Sequence, residues 1–162
     1  GMQVMVIESA RNLLGKKYAH STEFDPDTPD PVINLMPDQT NIADMGGTMR
    51  LGAYPCDIIK PSLAARSYNE THVEERHRHR YEFNNAYREP LQEVGLLASG
   101  ISPDGRLVEI VEQTERDFMV GVQFHPEFRS RPEAPHPLFR EFIGHSLGIL
   151  REGAQRPMPL DI

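Results

Sequence analysis

Between Leu96 and Val111 two apolar runs of strand length flank Ser102-Pro103-Asp104-Gly105. Proline early and glycine last suit a tight turn, so the two runs are predicted to be antiparallel strands, Leu96 to Ile101 and Leu107 to Val111. A third apolar run, Phe118 to Phe124, reads as a buried strand ending at His125-Pro126-Glu127. This part of the chain is committed to a sheet.

Helical periodicity flanks it. Val6, Ile7, Ala10, Leu13 and Leu14 recur at the spacing of one face within a predicted helix from Gln3 to Leu14. Gly15 is placed for a left-handed cap, and Lys16 and Lys17 favour the negative end of the helix dipole. At the other end Leu138, Phe139, Phe142, Ile143, Leu147 and Leu150 form one face of a closing helix, with Pro157 and Pro159 marking an extended tail over 151–162. Pro31 to Pro37 and Leu51 to Ile59 read as strands. Asn85 to Val94 has a helical pattern that Pro90 is expected to divide. Helices and strands together indicate an α/β fold.

The 162 residues suit one domain, large enough to bury about 70% of the unfolded surface. A net charge of -7 argues against a general binder of nucleic-acid backbones, despite a local run of arginines. The sequence contains no apolar stretch near the ~20 residues of a membrane span. Its single cysteine, Cys56, cannot form an intrachain disulfide, which suits a reducing compartment such as the cytoplasm.

Several residue types carry chemistry. A histidine at the carboxyl end of a strand can act as acid or base near neutrality, and a carboxylate two positions on can fix its tautomer. His125 and Glu127 therefore form a base and an orienter, or else a turn with a solvated acid. Glu23, in the polar loop after Tyr18, is suited to an ammonium group or simply to water. Within Thr71 to Asn84 a two-residue period puts Arg76, Arg78 and Arg80 on one face and His77 and His79 on the other. The arginines can bind an anion; the histidine pair is a weak metal signal without a third ligand of obvious spacing. Gly46-Gly47 could form a turn, a bulge or a phosphate-cradling loop. Cys56 lacks a nucleophile elbow and reads as a small buried apolar group.

Taken together, Gly1-Met2-Gln3, Ser21-Thr22-Glu23-Phe24, Met45-Gly46-Gly47-Thr48-Met49-Arg50-Leu51-Gly52, Arg76 to Glu82 and Gln123-Phe124-His125-Pro126-Glu127-Phe128 resemble, in order, the class I glutamine amidotransferase domain of CTP synthases. The octapeptide from Met45 argues against other class I amidotransferases and γ-glutamyl hydrolases. The resemblance spans residues 1–150 and implies a flavodoxin-like open sheet, N-terminally truncated. It implies that His125 and Glu127 belong to a Cys-His-Glu triad, and that Gln3, Glu23 and Arg80 hold L-glutamine.

In that family the catalytic Cys sits two positions before the residue matching Gly1, so it and the oxyanion-hole loop would lie outside this sequence. The chain alone is accordingly expected to lack glutaminase activity, or to be a non-catalytic glutamine-binding or regulatory module. The resemblance implies no cofactor in this chain; ATP, magnesium and GTP belong to the full-length family enzyme, whose synthetase domain receives the ammonia. A sheet without its first strands has exposed edges, so a homo-oligomer is expected.

Overall fold

The computed structural model describes residues 1–35 and 49–148. The first helix, α1 (Met2–Asn12), buries Met2, Met5, Val6, Ile7 and Ala10. It stops two residues earlier than its periodicity suggests, leaving Leu13 exposed. Gly15, at φ 68°, then turns the chain, and Lys16 N–H returns to the Ala10 carbonyl at 3.0 Å.

Strands β1 (His20–Ser21) and β2 (Pro31–Asn34) run parallel. With β5 (Glu82–Phe83), antiparallel to β2, they form a three-stranded sheet. Val6 and Ala10 of α1 share a core with Val32, Ile33 and Phe83 of this sheet. The first two strands end together: Thr22 Oγ1 donates to Asn34 Oδ1 at 2.8 Å. Because Asn34 pairs with Glu82, the start of β5 lies at that same end.

The second sheet is antiparallel throughout and comprises β3 (Arg50–Ile58), β4 (His72–His79), β6 (Leu96–Ile101), β7 (Val108–Gln113) and β8 (Val120–Val122). Its strand order is β4-β3-β6-β7-β8. After β8 the backbone bonds first to its neighbour and then to the far edge of the sheet: Gln123 N–H donates to Glu109 of β7 at 2.9 Å, and His125 N–H to Arg76 of β4 at 2.8 Å. The sheet thereby curls almost closed, which covers the free edge of β4 near Arg76.

Among the described residues three further helices follow: α2 (Leu63–Tyr68), α3 (Arg88–Glu93) and α4 (Pro137–Ser146). The expected α/β class and the hairpin turn are present, with Gly105 at φ 76°. Pro90 divides nothing. It sits in the first turn of α3, where its missing N–H costs no helical bond, and the break falls earlier, after a 3₁₀ turn at Asn85–Tyr87. Phe118 and Met119 belong to the turn before β8, which is only three residues long. Of the predicted closing face, Leu138 is buried while Phe139, Phe142, Ile143 and Leu147 are exposed. The residues Met36 to Thr48, which include the Gly46-Gly47 pair, and those from Ile149 onward, including Leu150 and the predicted tail, lie outside the described residues. Among those described, no helix is long and apolar enough to cross a membrane.

Candidate active site

Three of the predicted site residues converge on one end of the three-stranded sheet. Glu23 follows β1, Arg80 precedes β5, and Gln3 at the start of α1 donates from Nε2 to the carbonyl of Tyr81 at 3.3 Å. The carboxyl ends of β1 and β2 face this region, the usual place for a ligand crevice in an α/β sheet. The carboxylate of Glu23 is exposed and makes no hydrogen bond or ion pair among the described residues.

His125 follows β8, and its backbone N–H donates to the Arg76 carbonyl at 2.8 Å. Its Nδ1 lies 2.7 Å from Glu127 Oε1. Burial works to raise the Glu127 carboxyl, but the hydrogen bond from His125 and its own backbone N–H outweigh this and hold it below the ordinary carboxylate range. A carboxylate accepts, so Nδ1 carries the proton and Nε2 is left to exchange one with a substrate. Phe128 stacks on the imidazole, 4.9 Å between centroids and 21° between planes. The 3₁₀ turn Pro126–Phe128 sets this geometry by bringing Glu127 and Phe128 back over the ring.

Beneath the loop lies a buried polar network that motif reading passes over. Arg50 forks onto Glu109, at 3.1 and 2.8 Å, and reaches Glu82 at 3.5 Å. Gln123 Nε2 donates to the other oxygen of Glu82 at 3.3 Å. His79 Nδ1–H donates to the Tyr81 carbonyl at 3.1 Å, and so its Nε2 accepts from His77 Nδ1–H at 2.8 Å. The Tyr81 carbonyl thus joins Gln3 to the histidine pair, whose ionisation also feels the charge of His125. Burial, and then Arg50, lower His77 to about 3 and His79 to about 4, so both are neutral. The signal was in the sequence: Glu109 and Glu112 interrupt an otherwise apolar β7.

His77, His79 and Glu109 have ligand atoms within 4.8 Å of one another and could by type hold a metal ion. The bidentate Arg50 opposes this, because it occupies the carboxylate and adds a positive charge beside the imidazoles. Cys56 is fully buried, and burial first, then Glu109, push its thiol up to about 12. It is not an activated nucleophile.

The family model for class-I glutamine amidotransferases matches residues 1–145. CTP synthases of Dehalococcoides mccartyi and Thermomicrobium roseum are 58% and 59% identical to this chain over 160 residues, which is 99% of this chain and 29% of each relative. The chain therefore spans less than a third of the length of the curated relatives it matches. A solved structure of the Trypanosoma brucei CTPS glutaminase domain with bound acivicin is similar with a TM-score of 0.86 and 38% identity, covering 98% of this chain and 60% of that one.

Proposed function

The chain belongs to the class I glutamine amidotransferase family, and on that footing we propose that it forms the larger part of a site that hydrolyses L-glutamine to ammonia within a CTP synthase. In this reading His125 is the acid and base, Glu127 its orienter, and Gln3, Glu23 and Arg80 hold the substrate. The observation that carries it is the 2.7 Å contact from His125 Nδ1 to Glu127, which leaves Nε2 for proton transfer.

The nucleophile would be a cysteine two positions ahead of Gly1 in the longer polypeptide, where the backbone N–H groups and dipole of α1 would favour its thiolate. The thiolate adds to the amide carbon, and His125 passes the thiol proton to the departing ammonia. It then takes a proton from the water that opens the thioester, giving glutamate and regenerating the thiol. The synthetase portion of such an enzyme would use ATP, magnesium and the ammonia to aminate UTP, with GTP as an activator of the full-length enzyme. The same reading makes the protein a cytoplasmic homo-oligomer.

Ammonia release tests this on two polypeptides, the 162-residue chain and the same chain extended upstream through the preceding part of the domain with its Gly-x-Cys-Leu segment. The short chain should show none and the long one should turn over, with His125→Ala reducing the rate by about 10²- to 10⁴-fold. Glutamine turnover by the short chain that iodoacetamide abolishes, or an unaffected His125→Ala enzyme, would overturn the proposal. The burial of Cys56 favours a second reading for the short chain, a glutamine-binding module without catalysis. Calorimetric titration with glutamine distinguishes it, since Glu23→Gln should abolish any heat of binding.

A further inference from the structure

Arg80 and Tyr81 carry the chain from the end of β4 in one sheet to the start of β5 in the other, and they belong to neither. Outside both ladders, their backbone depends on side chains for its placement. His79 Nδ1–H donates to the Tyr81 carbonyl at 3.1 Å, closing a bond over Arg80, and Gln3 Nε2 donates to the same oxygen at 3.3 Å. One carbonyl therefore governs where two of the three proposed glutamine contacts stand.

His79 is itself held from behind. A carbonyl only accepts, so the His79 proton is on Nδ1, and its Nε2 accepts from His77 Nδ1–H at 2.8 Å. With both nitrogens engaged, the ring has one orientation. His77 is 1% exposed and meets Tyr54 and Phe124 edge-on, at 5.5 and 5.8 Å between centroids, and Phe124 is the residue before His125. The pair thus reaches from the side of the base to the side that holds substrate. Burial, and then Arg50, keep both rings neutral at pH 7, the state in which His79 Nε2 can accept.

We propose that His79 is a positioning residue for glutamine: backed by His77, it fixes the Tyr81 carbonyl and so sets Gln3 and Arg80 in the place that receives the substrate. This rests on the glutamine-hydrolysing reading and gives His79 no contact with the substrate. Gln3 and Arg80 would hold substrate and transition state alike, so freeing them raises KM and spares kcat, which belongs to His125 and Glu127.

In the longer, cysteine-containing polypeptide His79→Leu should raise KM for glutamine at least about tenfold while kcat stays within about threefold. His79→Asn, whose Nδ2 replaces Nδ1 as the donor to Tyr81, should bring KM back to within about threefold of the parent. A merely structural histidine would not be rescued in this way, because Asn leaves His77 Nδ1–H unpaired. Imidazole ¹⁵N spectra of the unsubstituted 162-residue chain need no folded variant, and both rings should carry their proton on Nδ1. A proton on His79 Nε2 at neutral pH, an unchanged KM in a folded His79→Leu enzyme, or an Asn variant no better than the Leu one would overturn the positioning role while turnover by the parent stands. A parent without turnover would remove the glutamine reading and this inference with it.

Discussion

Glu127 binds His125 although 56% of its side chain is exposed to water, so the pair contributes little to folding, at most about 1 kcal/mol, and matters through orientation. Its lowered pKa means that this contribution is present above the ordinary Glu range and is lost as pH falls through the folded value. In the cysteine-containing polypeptide Glu127→Gln should therefore lower kcat by about 10²- to 10⁴-fold and leave KM and thermal stability nearly unchanged, which steady-state kinetics and a melting curve can check. The buried network behaves differently. From the ordinary 6.5 down to about 3 and about 4, the unfolded chain binds protons that folded His77 and His79 refuse, so stability falls as pH drops through that window. Burial raises Glu82 from 4.5 to about 8 against the opposing pull of Arg50, so the folded chain keeps a proton the unfolded chain has released, and stability falls as pH rises toward 8. Urea midpoints should accordingly decline from pH 6.5 to 8.5, and Glu82→Gln should abolish that decline. The contact between His125 and Glu127 was legible from a strand end and a two-residue spacing, which left a solvated turn as the alternative; their assignment to a triad came only from the resemblance. Glu75 and Glu82 were not legible, because a glutamate in a strand ordinarily faces water, and only tertiary packing turns these two inward.

The six-residue helix α2 is too short to stand on its own propensity and depends on its caps. Ser62 Oγ accepts from Ala65 N–H at 2.9 Å, and Glu112 on β7 takes Leu63 and Ala64 N–H at 2.7 Å each, along with the Ser99 hydroxyl. Glu112→Ala would strand three buried or half-buried donors and should cost about 3 kcal/mol or more, read from chemical denaturation. Gly121 is a second device of this kind. A Cβ there would lie 3.0 Å from the Met2 Cα and 3.1 Å from Met5 Sδ, so β8 and α1 can touch only through glycine. Gly121→Ala should destabilise the chain by about 1–3 kcal/mol and, by pushing the start of α1 away, weaken the Gln3 contact to Tyr81. Element identities followed from pattern wherever the period was clear: burial alternates along Val73, Glu75 and His77 as the two-residue spacing requires. The shortness of β8 and the place of the break before α3 did not follow. Both are decided by tertiary hydrogen bonds, from Gln123 and His125 to neighbouring strands and from the Asn84 side chain to Ala86 N–H, which no local period encodes.

Sheet edges alone led to the expectation of self-association, yet the second sheet largely closes its own edge through the backbone N–H of His125. The apolar surface lies elsewhere. Phe142 and Ile143 of α4 are 53% and 54% exposed, with Phe139 and Leu147 beside them, and the ring of Phe118 contacts Phe142 without covering it. A contiguous apolar face of this kind favours removal from water. The side chains that gave the closing helix its period form a face that favours a partner, and nothing local distinguishes a partner within the chain from one outside it. If the face joins copies of this chain, as the proposed homo-oligomer requires, sedimentation velocity should show a weight-average coefficient that rises between about 1 and 100 μM. Ile143→Lys should return it to the monomer value without loss of helical signal, because α4 keeps its buried Leu138 contact and its Arg140 donation to the Ser67 carbonyl at 3.3 Å. A single sharp monomer boundary across that range would remove the homo-oligomer from the proposal while leaving the His125–Glu127 geometry untouched.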